Sequence, residues 1–169
     1  QGSYAYLQPD GSWGWSNAGL ITDGEDSLLV DTLFDLNLTR EMLQIMRDAV
    51  PQSENIGTLV NTHANGDHTF GNQLVEGATI IASAAGAEEM AELPPSALAE
   101  IMRNAGSMGE AGIFLKKIFD VFDFEGIELA APTETFSGTT SRKVGDKTVE
   151  LHEVGPAHTK GDTLVYVPA

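Results

Sequence analysis

The sequence predicts an α/β fold built in layers, because segments typical of strands alternate with segments typical of helices. The apolar run at 56–61 indicates a buried strand, residues 67–75 a helix, and residues 79–82 another short buried strand. With 169 residues, 41% of them hydrophobic, the chain is long enough for one core-bearing domain. We therefore expect one layered unit without an internal linker.

The N-terminal part of the chain predicts a β-hairpin, a buried strand and a helix. The hairpin follows from aromatic and β-branched residues on both sides of the Pro-Asp-Gly turn signal at 9–11, and Pro51 marks the end of the helix. Trp13 and Trp15 would share one face of the hairpin, where they either pack in the structure or border a substrate site. The predicted segments are the hairpin strands 4–8 and 12–22, the strand 27–31 and the helix 39–50.

The second half of the chain predicts three helices followed by four strands. Apolar residues of the third helix exceed a one-sided stripe, so either this helix packs on two sides or its phenylalanines line an apolar pocket. We expect residues 84–124 to form a helical cap inserted in the domain. His152 falls on the polar side of an alternating strand and is expected to be an exposed strand residue rather than a ligand. The predicted segments are the helices 84–93, 95–104 and 109–124 and the strands 133–136, 142–144, 148–154 and 163–167.

Two histidine-bearing segments each follow a predicted strand. The first places His63, Asp67 and His68 within six residues, and a glycine between them permits a tight loop. The second places His158 in a Gly/Pro-rich turn at 155–162. Neutral imidazole and ionised carboxylate are the usual ligands of catalytic zinc and related ions. The two segments therefore predict one shared metal site.

These segments resemble the signature of the metallo-β-lactamase superfamily, His-x-His-x-Asp-His after a strand and a later Gly-x-x-His-Thr turn. The resemblance runs from about residue 17 to the C-terminus and includes an early strand that ends in Asp31 and a helix-opening segment at 67–72. It implies an αββα sandwich and zinc as the cofactor, as one or two ions, with iron or manganese as alternatives. We also expect Asp31 to hold one of the imidazoles by a hydrogen bond. The implied ligands are His63 and His158 for a first ion and Asp67 and His68 for a second.

The chain departs from the superfamily pattern in two respects. Asn65 stands where the second histidine is expected, and its neutral oxygen should bind a transition metal more weakly, at the margin of the site. The bridging aspartate and last histidine of the superfamily would lie beyond the Gly-x-x-His-Thr turn, but the sequence stops at Ala169. We therefore expect a sandwich truncated after the third ligand motif, completed by a missing C-terminal segment or by a partner chain such as a second copy. Residues 1–3 look like a tag remnant, which leaves 4–169 as the domain.

The composition argues against certain classes of binding partner. A formal net charge of −16 and a pI near 4.3 argue against nucleic acid and anionic membrane surfaces as partners. The absence of cysteine excludes disulfides, thiolate zinc sites and a cysteine nucleophile. The cellular location stays open, with the cytoplasm favoured.

The function that the resemblance implies is hydrolysis of an ester-like bond, in a thioester, ester, lactone, β-lactam or sulfate ester. A metal ion with an open coordination position would activate water, and Asp67 would be the catalytic residue that orients it. An apolar cap favours a small-molecule substrate with an acyl or aryl group. Two alternatives stay open: a metal-poor, inactive relative that acts as a binding or structural protein, and redox chemistry on iron.

Overall fold

A six-stranded sheet forms the centre of the computed structural model, which describes residues 2–8 and 11–168. The first three strands are antiparallel neighbours, whereas the third to sixth strands run parallel. The carboxyl ends of parallel strands meet at one edge of a sheet, and loops that leave this edge lie side by side. In spatial order the strands are β1 (Ser3–Tyr6), β2 (Ala18–Asp23), β3 (Asp26–Val30), β4 (Thr58–Val60), β5 (Thr79–Ser83) and β6 (Glu134–Phe136).

A second, three-stranded antiparallel sheet packs on one face of the first. Its strands are β7 (Thr139–Val144), β8 (Lys147–Glu153) and β9 (Thr163–Tyr166), with β8 in the middle. Alternating apolar residues of both sheets point inward and form the core between them, as expected for a face-to-face sandwich. The buried residues of this core are Ile21, Leu28, Val60, Ile81, Val144, Val149 and Leu151.

Five α-helices accompany the sheets in the described part of the chain. The longest, α1, packs through Met42, Leu43 and Met46 on the other face of the first sheet. It begins three residues before the predicted helix 39–50, because the Asp35 side chain caps it by accepting from the Leu38 N–H at 2.7 Å. The helices are α1 (Leu36–Ala49), α2 (Gly66–Thr69), α3 (Ala84–Glu92), α4 (Pro95–Asn104) and α5 (Gly109–Phe119).

The predicted α/β class is confirmed, with helix, sheet and sheet as successive layers of the sandwich. No helix among the described residues is both long and apolar enough to cross a membrane. The first sheet begins at Ser3, which pairs with Ile21, one residue before the expected domain boundary. The tag interpretation of residues 1–3 stays a prediction, and Gln1 and Ala169 lie outside the described residues.

The N-terminal hairpin differs from its prediction. Its second strand starts at Ala18 rather than at residue 12, so Trp13 and Trp15 lie in the connecting loop and do not share a strand face. Gly14 between them has a φ of 84°, which a strand cannot hold, and a Cβ there would lie 2.5 Å from the Phe34 side chain. The predicted turn residues Pro9 and Asp10 lie outside the described residues.

The helices between β5 and β6 also correct an expectation. The last helix ends at Phe119 rather than at residue 124, and Ile113 and Phe114 on it are exposed, so packing on two sides is wrong. Phe122 and Phe124, which follow the helix, are buried in an aromatic cluster with Phe34 instead. The interpretation of residues 84–124 as a functional cap stays a prediction.

Candidate metal centre

Parallel strands β3 and β4 end side by side and deliver the first parts of the site. Asp31 follows β3, and its backbone N–H donates to the Val60 carbonyl at 2.9 Å. The loop 61–68 follows β4. The second histidine-bearing loop, 154–162, reaches the first because Thr163 N donates to the Thr62 carbonyl at 2.7 Å. Main-chain hydrogen bonds between strand ends therefore bring the two segments together.

Asp31 is the buried anchor of the first loop. Its carboxylate accepts from the Thr62 N–H and the Thr62 hydroxyl, both at 2.7 Å, and lies 2.9 Å from His68 Nδ1. Asp31 has a φ of 63° and is the one non-glycine residue with a positive φ among those described. Backbone of this kind is strained and persists where surrounding contacts enforce it. The expectation that Asp31 holds an imidazole by a hydrogen bond is confirmed.

The two imidazoles of the first loop are both held through Nδ1. The Thr62 hydroxyl, which donates to Asp31, lies 2.9 Å from His63 Nδ1 and can accept its proton. His68 Nδ1 is held by Asp31 directly, and His68 Nε2 lies 3.5 Å from Asp67 Oδ2. The His63 and His68 ring centroids are 4.2 Å apart. This pattern leaves the Nε2 atoms of both rings available as ligands.

A buried polar network fixes the backbone of the same loop. The His68 carbonyl accepts from the Thr32 N–H at 3.0 Å and from the Asn61 side-chain amide at 3.1 Å. Asn61 and Asn72 exchange amide hydrogen bonds of 2.8 and 3.2 Å. Because these buried groups satisfy one another, the network holds the loop in one conformation. The short turns α2 and Asn72–Leu74 replace the continuous helix predicted at 67–75.

His158 completes the cluster from the second loop. Its ring is exposed and lies 5.1 Å from the His63 ring, centroid to centroid. Its Nε2 lies 2.9 Å from the Asn65 side-chain Nδ2. Asp162 closes the loop by accepting from the Ala157 N–H at 3.1 Å and from the Thr159 hydroxyl at 2.9 Å. His158 is thus placed by Asn65 and by a turn rather than by burial.

The structure brings all five residues that the sequence singled out to one place. Asn65, expected at the margin, contacts His158 directly. His63, Asp67 and His68 come from the first loop, and the assignment of these residues as metal ligands stays a prediction. Outside the cluster, His152 contacts Glu150 at 3.0 Å and Thr139 at 3.3 Å. Its expected place on the polar side of a strand is confirmed.

The sequence did not predict the contribution of Thr62. Its hydroxyl links Asp31 to His63, and its carbonyl accepts from β9. The only sequence signal is its position next to His63, because a threonine at the end of a strand is otherwise ordinary. His63, His68 and Asp31 offer ligand atoms within 4.8 Å of one another. Since both Asp31 oxygens already accept hydrogen bonds, we assign Asp31 to holding His68 rather than to binding metal.

The pKa values of the two histidines of the first loop are shifted in opposite directions. Burial lowers the pKa of His63 below its ordinary value, and the nearby His68 lowers it further. Burial also opposes protonation of His68, but the hydrogen bond and charge of Asp31, with the charge of Asp67, outweigh it and raise the pKa of His68. His63 is therefore neutral near pH 7 and able to coordinate a cation, whereas a proton competes more strongly for His68.

The donor set fits a divalent transition metal. His68 Nε2 lies 3.5 Å from the Asp67 carboxylate, and hydrogen-bonding partners hold the Nδ1 atoms of His63 and His68. Such partners fix ring orientation in metal sites. His63, Asp67, His68 and His158 would hold the ion, with Asn65 able to offer its amide oxygen.

A cavity of about 620 Å³ opens beside this cluster, and we call it the tryptophan cavity. Its wall combines site residues, aromatic side chains and acidic groups of α3. Its lining residues include Trp13, Trp15, Asp67, Glu89, Glu92 and Leu93. A volume of this size accommodates a drug-sized small molecule.

An α/β sandwich with histidine-bearing loops at one sheet edge defines a class of metal-binding domains. The metallo-β-lactamase superfamily model matches residues 11–169, and the chain belongs to that superfamily. The resemblance drawn from the sequence motifs is confirmed. No curated protein matches the chain.

Solved structures of similar fold include three whose names bear on function. A metallo-β-lactamase from Pontibacter korlensis is 19% identical, with a TM-score of 0.68 over 99% of this chain and 63% of that protein. A B3 metallo-β-lactamase with an active-site glutamic acid is 18% identical, with a TM-score of 0.62 over 90% and 51%. A stereoselective inverting sec-alkylsulfatase from Pseudomonas sp. is 18% identical, with a TM-score of 0.63 over 90% and 26%. The chain thus spans less than two thirds of the length of each, and at these identities the likeness shows the fold alone.

Proposed function

We propose that this chain carries the active site of a metal-dependent hydrolase that cleaves an ester-like bond. One observation carries the proposal. Asp31 and Thr62 hold His68 and His63 through their Nδ1 atoms, and His68 Nε2 lies 3.5 Å from Asp67, which lines the tryptophan cavity. A surface histidine cluster without a function would not require a strained, buried aspartate behind it.

Each residue of the cluster has a role in the proposed reaction. His63, Asp67, His68 and His158 would hold one or two zinc ions, with iron or manganese as alternatives. When bound, such an ion polarises a carbonyl and makes water more acidic. The Asp67 carboxylate, on the cavity wall, would orient the attacking water and accept its proton. The tryptophan cavity would hold the acyl or aryl part of the substrate.

The bond cleaved is that of a thioester, ester, lactone, β-lactam or sulfate ester. The names of the similar structures include metallo-β-lactamases and a sec-alkylsulfatase, and these names describe those proteins. They support hydrolysis as the reaction class for this chain. The activity of the whole protein is part of the proposal, because the chain spans only part of these structures.

The experiment that tests this function combines metal loading with hydrolysis. Metal-stripped protein is titrated with zinc, manganese or ferrous iron and assayed with 4-nitrophenyl hexanoate, a hexanoyl thioester, a lactone, a chromogenic β-lactam and an aryl sulfate. We expect at least one substrate to be hydrolysed only after metal loading. The variant His68→Ala should lose this activity, whereas the matched variant His152→Ala, outside the cluster, should keep it. Activity that survives both metal removal and His68→Ala would contradict the proposal.

A second candidate, a metal-poor relative that only binds ligands, is favoured by one contact. The Asn65 amide lies 2.9 Å from His158 Nε2, the atom that would otherwise coordinate metal. If His158 keeps this hydrogen bond, His63 alone stays available of the two ligands implied for the first ion, fewer than the three that a catalytic zinc usually takes from a protein. The metal titration separates the two candidates, since this one requires weak metal binding and no hydrolysis.

A further inference from the structure

We propose that the tryptophan cavity selects uncharged ligands that carry an aryl or acyl group and rejects anionic ones. This inference rests on the proposed function for the reaction that follows binding. It concerns the walls of the cavity, which consist of protein side chains and can be tested without turnover.

The rim of the cavity exposes large apolar side chains to water. Trp13 is 69% exposed and Leu93 is 58% exposed, although both line the cavity. They come from separate elements, the loop 11–17 and the end of α3. Exposed apolar surface around a concavity commonly marks a binding site, because covering it releases water and is favourable. An aryl or acyl group placed between these residues would cover both.

The floor of the cavity is rigid. Trp15 packs against Phe122 with ring centroids 5.1 Å apart, and Phe34 packs against Phe122 and Phe124 at 5.0 and 4.9 Å. Phe122 and Phe124 are buried. Tilted and edge-on contacts of this kind stabilise an aromatic cluster beyond its buried area. The apolar wall is therefore preformed, so little side-chain freedom is lost when a ligand binds.

The charged groups of the wall are acidic. Glu89 and Glu92 lie three residues apart on α3 and both line the cavity, as does Asp67. Among the described residues that line the cavity, none is lysine or arginine. Lys160 Nζ lies 2.6 Å from Glu92 and offsets that carboxylate, but Glu89 accepts from the Lys160 backbone N–H, which carries no net charge.

These walls distinguish among the ester-like substrates. A ligand with its own carboxylate or sulfate would meet carboxylates of like charge in a partly desolvated cavity, which is costly. Carboxylic esters, lactones and thioesters with an uncharged acyl or aryl group avoid this cost. We therefore place these substrates ahead of sulfate monoesters and of β-lactams that carry a carboxylate.

The test uses a matched pair of probes that differ in charge. The purified protein is titrated at pH 7.5 with 4-phenylbutyramide and with 4-phenylbutyrate, and binding is followed by calorimetry and by tryptophan fluorescence. Trp13 and Trp15 are the two tryptophans of the sequence, and both line the cavity, so fluorescence reports binding there. We expect the amide to bind about tenfold more tightly than the carboxylate, because only the carboxylate is repelled by the acidic wall.

Two double variants locate the source of the selectivity. Glu89→Gln with Glu92→Gln should reduce the amide-to-carboxylate ratio to about threefold or less, because it removes the acidic wall of α3. Glu88→Gln with Glu100→Gln removes the same charge from exposed positions that do not line the cavity and should leave the ratio unchanged. Near-ultraviolet circular dichroism checks that each variant is folded, and the ratio in the parent protein is decisive by itself.

Three outcomes would overturn the inference: equal affinity of the parent for both probes, no detectable binding of either, or an equal loss of selectivity in the control variant. The result is separable from that for the proposed function. Selective amide binding without metal-dependent hydrolysis refutes the hydrolase and leaves the cavity assignment intact. Metal-dependent hydrolysis with equal binding of the two probes supports the hydrolase and refutes the selectivity of the cavity.

Discussion

The two histidine-bearing loops of the site are held in opposite ways. Buried polar groups, among them Asp31 and Asn61, hold the loop 61–68 in place. Its two imidazoles are fixed by hydrogen bonds at their Nδ1 atoms. The loop that carries His158 is exposed, and that ring contacts Asn65 in front, on the side where a metal would bind.

This difference shows how the site would assemble. The first loop is organised before any ligand arrives, so its donors lose little freedom when they bind. The second loop must exchange the Asn65 contact for a metal bond, which lowers the net gain. Metal affinity should therefore depend strongly on the support of the first loop and should be limited by the second.

The largest expected effect comes from the support of the first loop. Asn at position 31 tolerates the left-handed backbone as well as Asp does, so Asp31→Asn keeps the backbone while it removes the charge and replaces one accepting oxygen by an NH2 group. We expect zinc affinity to fall by about 10- to 100-fold, as for other residues that hold a ligating histidine. Competition with a chromogenic chelator measures it, with Asp48→Asn on the exposed face of α1 as the matched control. Unchanged affinity would show that His68 is oriented without Asp31.

The next largest effect would reverse the weakness of the second loop. Asn65→His supplies an imidazole in place of an amide and removes the competitor for His158 Nε2. Zinc affinity should rise by about tenfold or more, because three strong ligands replace two in the first site. Titration of the metal-stripped parent and variant checks this, with Asn104→His at the end of α4 as the control. Equal affinities would mean that position 65 does not face the metal, and a tight site in the parent would mean that another donor completes it.

A smaller effect should come from the turn that carries His158. Burial opposes ionisation of Asp162, but the hydrogen bonds donated by Thr159 and the His158 backbone outweigh it and lower the pKa of Asp162. A lowered folded-state pKa contributes stability above the unfolded value, about 3.9, and this is lost as the pH falls through the folded value. Asp162→Asn should therefore lower the free energy of unfolding near pH 7, by at most about 1 kcal/mol because solvent screens the carboxylate, and this cost should shrink as the pH falls through the folded-state pKa.

Urea unfolding of the metal-stripped protein at several pH values measures this pH dependence. Asp146→Asn, at an exposed position in the turn between β7 and β8, is the matched control. A cost of Asp162→Asn that stays constant with pH would show that the side chain acts through shape rather than charge.

The fold and the cluster were predictable to different degrees. Apolar runs such as 56–61 and 79–82 identified the parallel strands, because a strand that is buried on both faces is a nearly continuous apolar run in the sequence. The motif spacing predicted that His63, Asp67, His68 and His158 lie together. The loop with Trp13 could not be predicted, because one glycine with positive φ ended the strand pattern.

The sequence also did not predict the contacts that position the side chains of the site. Thr62 bridges Asp31 and His63, and this depends on the register of β3 against β4 rather than on local pattern. The Asn65 contact joins residues 93 positions apart. Glu89 and Glu92 fall in the predicted helix 84–93, but only the fold places them on the wall of the cavity that Trp13 also lines. Residue types and their spacing do not determine which residues far apart in the sequence the fold brings together.

The smallest expected effect is that of replacing His152, a histidine that lies outside the metal cluster. His152 contacts Glu150 and Thr139 on β8 and β7, away from the cluster. His152→Gln should therefore leave zinc affinity within about twofold of the parent, the scatter typical of a surface change. His158→Gln also changes an accessible imidazole, but it removes a metal donor and should lower zinc affinity by about three- to tenfold. This loss is smaller than that of Asp31→Asn, because the His158 ring already has a competing hydrogen bond with Asn65. Chelator competition on both variants in parallel decides the matter. A loss of zinc in His152→Gln with none in His158→Gln would place the metal on the second, three-stranded sheet instead of between the two histidine-bearing loops.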